Sequence, residues 1–350
     1  MNAPARVAGS LQVLLVLALL LVIALGVRMT AEVVTVFVVS FILTLLALPA
    51  VGVLQRRGLG HPVAVAVVSF AAFLLVLGLV FLLFYALEVL VTDIGTFQAE
   101  LDQRLETALG FLDRFGVSLP DSSLSSIDLG AVAGATLGWL SNLSGIMMML
   151  FFVMITTIFM LLEAPKIPGR AARILGPDSA ALSQASRMSG FVMDFMVVRT
   201  ETNLVHGVLF SGVLLAMGVN GAVLWGTLTF LLGYIPYLGL IAAAIPAVLF
   251  AWIQYGLPGA LGVIALVVVL NLIVENPVFS YFASRAFEIP PLLVVIAVIV
   301  FGWLLGVLGM LFAVPLMLML LILVQVSEET RWINVLLGVD RLFEDESSPP

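Results

Sequence analysis

The chain has 350 residues, 63% of them hydrophobic and only 10% charged, with a formal net charge of −7 and a mean hydropathy of +1.25. Soluble domains run near 45–50% apolar and about 25% charged, so these figures exclude an ordinary soluble domain and imply a multi-pass membrane protein. The absence of cysteine excludes disulfides, thiolate nucleophiles and cysteine metal ligands.

Taken in order, Gly9–Val27 is the first apolar span, retained rather than cleaved because no small-residue cleavage site precedes Arg28. Ala31–Leu54 is the second, broken late by Pro49, and Arg56-Arg57 follow in a short loop before His61-Pro62. Val63–Val91 is the third. Residues 92–142 change character: Asp93, Glu100, Asp102, Glu106, Asp113, Asp121 and Asp128 stand against Arg104 and Arg114. Phe97, Leu101, Leu105, Leu109 and Leu112 recur there at helical spacing, which predicts an amphipathic helix. Its apolar stripe could lie on the membrane surface, pack on the other spans or meet a neighbouring subunit; the low basic content argues against anionic lipid, and a homo-oligomer formed through this helix is expected. Ser144–Leu162 is the fourth span. Lys166, Arg170, Arg173, Arg187 and Arg199 then make a basic segment, in which Asp178-Ser179 can cap a helix with the stripe Leu182, Ala185, Met188, Val192 and Phe195.

Arginine distribution sets an orientation. Arg56-Arg57 and the segment 164–203 fall on one side, which the positive-inside rule makes cytoplasmic. The acidic segment is then external and both termini are cytoplasmic. With acids concentrated in that segment and the C-terminal tail, the net charge presents no nucleic-acid-binding face.

Beyond Leu204–Met217, the stretch Asn220–Trp252 is apolar but interrupted by Gly233-Tyr234-Ile235-Pro236-Tyr237-Leu238-Gly239. The run before the break would rise only ~18 Å as a helix, against a hydrocarbon core of ~30 Å. Broken backbone cannot face lipid, because its free N–H and C=O groups find no water there. Pro258–Val274 forms a further span. Pro290–Pro315 is interrupted again, at Gly302–Gly309. Paired Gly/Pro-interrupted segments are the best sequence pointer to a transporter site. Glycines that only let neighbouring helices pack closely are the plainer alternative.

The fold expected is thus an all-α polytopic membrane protein with about eight membrane segments, two of them broken or re-entrant, plus an external amphipathic helix. One integral membrane domain divides into three spans (1–91), the external segment (92–142), a fourth span (143–163), a cytoplasmic helix segment (164–203), a broken-helix transport core (204–327) and a cytoplasmic tail (328–350).

Several of these residues carry a family resemblance. Leu224-Trp225-Gly226, Tyr234-Ile235-Pro236-Tyr237-Leu238-Gly239, Ile245-Pro246, and Gly302-Trp303-Leu304-Leu305-Gly306 through Gly309 to Ala313-Val314-Pro315-Leu316 resemble the autoinducer-2 exporter-like (AI-2E) permeases of bacteria and archaea. Arg199-Thr200, Gly207 and the order of apolar segments extend the resemblance over the chain. Ser280–Arg285 departs from the Pro-Arg-x-x-Gly-Arg-like run common in that family, and only Arg285 clearly matches.

The candidate substrate or ion path comprises Tyr234, Pro236, Gly239, Asn271, Glu275, Arg285, Gly302, Gly306 and Gly309, with the two breaks meeting near mid-membrane. Glu275 with Asn271 one turn earlier places a carboxylate and an amide on one helical face. Glu275 either serves as a proton or cation site or pairs with Arg285 at the interface, and Arg285 with Glu288 forms an ion pair in a polar loop or helps close the path. His206, opening the fifth segment, either titrates near neutrality or sits at the interface. Leucine in place of Gly239 or Gly306 is expected to stop flux and spare assembly.

H-E-x-x-H, G-x-x-x-x-G-K-[ST] and G-x-S-x-G are all absent, which removes the zinc-protease, ATPase and hydrolase readings and leaves a non-enzyme without cofactors. Three functions remain: export of a small polar solute by alternating access, with autoinducer-2 suggested by the resemblance; sodium/proton antiport, with Na+ or H+ as coupling ion; and a non-transporting scaffold. The expected location is the cytoplasmic (inner) membrane, with lipid and the solute or cation as partners.

Overall fold

Long apolar runs with few interruptions form helices because a helix satisfies every backbone group within itself, the one requirement hydrocarbon imposes. The computed structural model of the chain describes residues 3–92, 94–113, 134, 138, 142–176, 179–275, 290–326, 330 and 332–339, and these contain helices and no strand. In order they are α1 (Ala3–Met29), α2 (Ala31–Arg56), α3 (His61–Thr92), α4 (Ile94–Asp113), α5 (Leu143–Glu163), α6 (Ile167–Leu175), α7 (Ala180–Ala216), α8 (Ala222–Leu232), α9 (Gly239–Leu270), α10 (Pro291–Leu305), α11 (Val307–Leu311), α12 (Ala313–Val326) and α13 (Trp332–Leu336). By length and composition, four stretches can cross a membrane: α2, His61–Glu88 of α3, Leu143–Ile174 and Gly239–Glu275. Shorter apolar helices accompany them, including α8, α10 and Ala313–Gln325. The protein is an all-α polytopic membrane protein.

α2, α3 and α5 form one bundle. Ala47, Val51, Ala64, Val65, Val68 and Leu161 fill its centre, and the Ser40 hydroxyl donates to the Val153 carbonyl at 3.1 Å. α2 runs unbroken through Pro49 to Arg56, contrary to the break expected there. A proline removes one intrahelical hydrogen bond, and neighbouring helices can absorb that defect in a membrane helix. α1 stands apart: its large side chains from Leu14 to Val22 are each more than half exposed. Its C-terminal end is held by Arg28, which lies 4.6 Å from the Trp303 ring centroid and donates to the Trp303 carbonyl at 3.2 Å.

The second half is built on α7, a single helix of 37 residues. The sequence divides it at 203/204 into a cytoplasmic and a membrane helix; the structure has no interruption there. Ser179 sits at its N-cap without a side-chain cap bond, and Asp178 lies outside the described residues. α8 packs along α7 through two glycines. A Cβ on Gly207 would stand 2.6 Å from the Gly226 carbonyl, and one on Gly226 would stand 2.6 Å from the Gly207 carbonyl. Such backbone-to-backbone approach is how membrane helices gain van der Waals energy without a hydrophobic drive.

The amphipathic helix expected in residues 92–142 is α4, and its stripe is not free. Phe97 and Leu101 are 3% and 0% exposed, in a core with Phe210, Leu214, Trp225 and Phe250, against which Leu105 also packs. The Phe97 and Phe250 rings meet edge to face at 4.8 Å. Arg104 donates to the Ile253 carbonyl at 3.1 Å. Of the alternatives the sequence leaves open, Phe97, Leu101 and Leu105 take packing on their own chain. The side chains of Leu109 and Leu112 lie outside the described residues.

Candidate functional site

Both interrupted segments fold back as helical hairpins. In the first, α8 ends at Leu232, a tip spans 233–238, and α9 begins at Gly239. Trp225 meets Phe250 at 5.3 Å between ring centroids, and the Asn220 amide donates to Gln254 Oε1 at 3.1 Å, so the two arms run antiparallel to their base. A Cβ on Gly239 would collide with the Leu232 carbonyl, which is why glycine closes the tip. Leucine at that position therefore attacks the fold itself and is not the selective flux probe the sequence suggests. The other arm ends where Gly256 turns the chain with φ 69° and ψ −158°. Pro258 then opens the descending stretch of α9, where its missing N–H costs nothing.

The second hairpin pairs α10 with α12. Its break falls at Gly306 (φ 68°, ψ −150°) and Phe312, joined by the single turn α11. Gly302 lies inside α10 rather than in the break; a Cβ there would meet Met310 Cγ at 2.6 Å. Gly309 is buried, and a Cβ on it would strike the Phe301 carbonyl and lie 2.8 Å from Leu305 Cβ. Gly302 and Gly309 thus serve close packing at this bend, and Gly306 supplies the left-handed conformation.

The two tips touch. Ile235 is buried in one cluster with Val294, Ala297, Ala313, Val314 and Leu318, with Leu232, Phe301 and Met310 packed against it. The Tyr234 and Phe312 ring centroids are 6.2 Å apart. Pro236 is half-buried in the first tip, and its carbonyl accepts from the Leu238 amide at 2.7 Å.

Polar groups gather on the α7 side of this contact. Arg199, Asn203 and His206 recur at i, i+4 and i+7, one helical face, with Thr200 beside them. Arg199 Nε donates to the Gly233 carbonyl at 2.8 Å, and its Nη2 donates to the same oxygen. Its Nη1 donates to Glu275 Oε2 at 2.9 Å and Oε1 at 3.1 Å. Thr200 and Tyr234 share a hydroxyl–hydroxyl bond of 2.6 Å. Asn203 and His206 are 2% and 3% exposed, and Asn203 Nδ2 and His206 Nε2 have no hydrogen-bond partner among the described residues.

Glu275 closes a π-turn, Asn271–Glu275, at the end of α9, so a wider turn than α sets its direction. Among the described residues its partner is Arg199; Arg285 and Glu288 lie outside them. Asn271 is exposed, whereas Glu275 is half-buried. His206 is an interior residue of α7, not the helix-end residue the sequence suggests. Arg199, Thr200 and Asn203 are the site neighbours that reading the candidate path along α9 and the two breaks misses; their periodic spacing on α7 was the available signal.

Comparison with known proteins agrees with this architecture. The chain is 28% identical to the AI-2 transport protein TqsA of Escherichia coli K12 over 97% of its own length and 98% of that protein. It is 29% identical to a putative transport protein of Haemophilus influenzae, covering 93% and 95%, and 27% identical to the putative transport protein MT0215 of Mycobacterium tuberculosis, covering 79% and 78%. Such relatives and such a fold make it a membrane transport protein. The model of the AI-2E family transporters matches residues 16–329, and the chain belongs to that family.

Proposed function

We propose that the protein exports a small polar solute by alternating access, with the two hairpin tips as the moving barrier and the Arg199–Glu275 side of α7 as its polar wall. The observation that carries this reading is the meeting of the tips at Tyr234 and Phe312, with Thr200 hydrogen-bonded to Tyr234. Half-length helices ending inside a bundle leave carbonyl and amide groups that only protein, water or solute can satisfy. A barrier made of two such ends opens by separating them, and opening exposes polar groups to one side at a time. TqsA is named an AI-2 transport protein, and we extend that solute class to this chain. The orientation proposed has α4 outside and both termini in the cytoplasm, following the arginines at 56, 57, 170 and 173.

The deciding experiment is solute-dependent flux in proteoliposomes, with and without sodium and pH gradients. Flux of the autoinducer-2 type of solute that vanishes on replacing Tyr234 with a bulky charged residue is the expected result. No solute flux alongside a robust cation exchange would replace export by antiport. No movement of either would leave no transporter to explain.

A further inference from the structure

The Gly233 carbonyl and the Glu275 carboxylate converge from two elements onto one guanidinium. Gly233 is the C-cap of α8, the end of a half-helix, where carbonyls are free and the helix dipole is negative. A half-helix C-terminus with a carboxylate beside it is the arrangement by which broken-helix transporters coordinate Na+. Here the charge at that position is already supplied. Arg199 gives Nε and Nη2 to Gly233 and Nη1 to both oxygens of Glu275, with the two side chains only 15% and 28% exposed.

We propose that the Arg199 guanidinium is a tethered cation. It fills a site whose oxygen donors, the Gly233 carbonyl and the Glu275 carboxylate, would otherwise take a small monovalent cation. It fixes the first tip to α7 and to the end of α9 without a dissociable ion. The donor chemistry supports this: hard oxygen ligands with one formal negative charge suit an alkali cation, and a guanidinium meets the same oxygens through fixed, forked N–H groups. The consequence for mechanism rests on the transport reading above: cycling at this site needs no bound Na+, because the charge travels with α7.

The test reads stability rather than flux, so that it fails independently of the transport reading. Full-length protein in detergent is melted in NaCl and in choline chloride at matched ionic strength. Wild type is expected to melt at the same temperature in both salts. Arg199→Ala exposes the oxygen donors and is expected to gain about 3 °C or more in NaCl once Na+ exceeds its dissociation constant about tenfold. Arg199→Ala combined with Glu275→Gln should lose that gain, and Arg199→Lys, which keeps a tethered charge, should behave as wild type. Should Arg199→Ala fail to fold in choline, NaCl is expected to recover it. A Na+-specific rise in wild type overturns the proposal, as does an Arg199→Ala protein indifferent to Na+ or unfolded in both salts. Proteoliposomes without flux, alongside this melting pattern, would sink the transport reading and leave the tethered cation standing.

Discussion

Leu101→Ala separates the two fates open to the amphipathic helix α4. Leu101 is wholly buried among Phe97, Trp225, Phe250 and Leu214 of its own chain, and the Phe97–Phe250 pair beside it holds its shape. Removing three side-chain carbons there costs their lost contacts plus a cavity term, in all about 2–5 kcal/mol for a site that cannot collapse. Aromatic neighbours on three elements make collapse difficult, and the cavity is sealed by protein whether water or lipid lies beyond. At roughly 2 °C per kcal/mol for a chain of this size, the melting temperature should fall by about 4–10 °C. Leu105→Ala, on a half-buried residue, should cost visibly less. Thermal melts of detergent-purified protein give the first readout, and light scattering on the same samples gives the particle mass, which should not change. A variant that loses mass while melting at the wild-type temperature would refute the intrachain packing and restore a subunit contact on this stripe.

Two further perturbations test the tips. Gly239→Ala drives a methyl onto the Leu232 carbonyl and should abolish recovery of folded protein. Gly306→Ala meets nothing within 4 Å and should cost only the strain of its backbone conformation, about 1–3 kcal/mol; equal expression and melting of the two variants would contradict the hairpin geometry. Tyr237 holds a left-handed φ of 64° with a largely exposed side chain, so Tyr237→Gly should raise the melting temperature by the equivalent of about 1 kcal/mol, and a fall would show that the ring has a partner.

How far this architecture can be read from sequence depends on what each glycine does. The first tip is legible because Gly233, Pro236 and Gly239 crowd into a stretch too short to span, and no helix survives that combination. The second is displaced by a turn. Gly302 and Gly309 look like breaks but serve close contact with Met310 and the Phe301 carbonyl, and the backbone turns at Gly306 instead. Composition cannot separate a glycine chosen for a positive φ from one chosen for a missing Cβ. The stripe on α4 shows the same limit at the next level. Its periodicity establishes that one face is covered, but a face covered by the same chain and one covered by a second copy have identical sequences.

The polar wall failed to emerge for a different reason. Arg199 reads as one of a series of basic residues following the fourth span, and a charge at that point argues for ending the membrane helix. α7 continues through Arg199 with its charge answered by a carboxylate 76 residues away. Each side of that pair makes the other tolerable, so neither is explicable alone. Asn203 and His206, one and two turns along the same face, then fall inside the helix and are buried with it. Once Glu275 is recognised as needing a cation, Arg199 and Arg285 are the basic residues flanking the apolar stretch that contains it, and only Arg199 stands one turn from an asparagine and two from a histidine. Periodicity measured back from His206, rather than forward from the first uncharged residue of the membrane segment, is the reading that finds the wall.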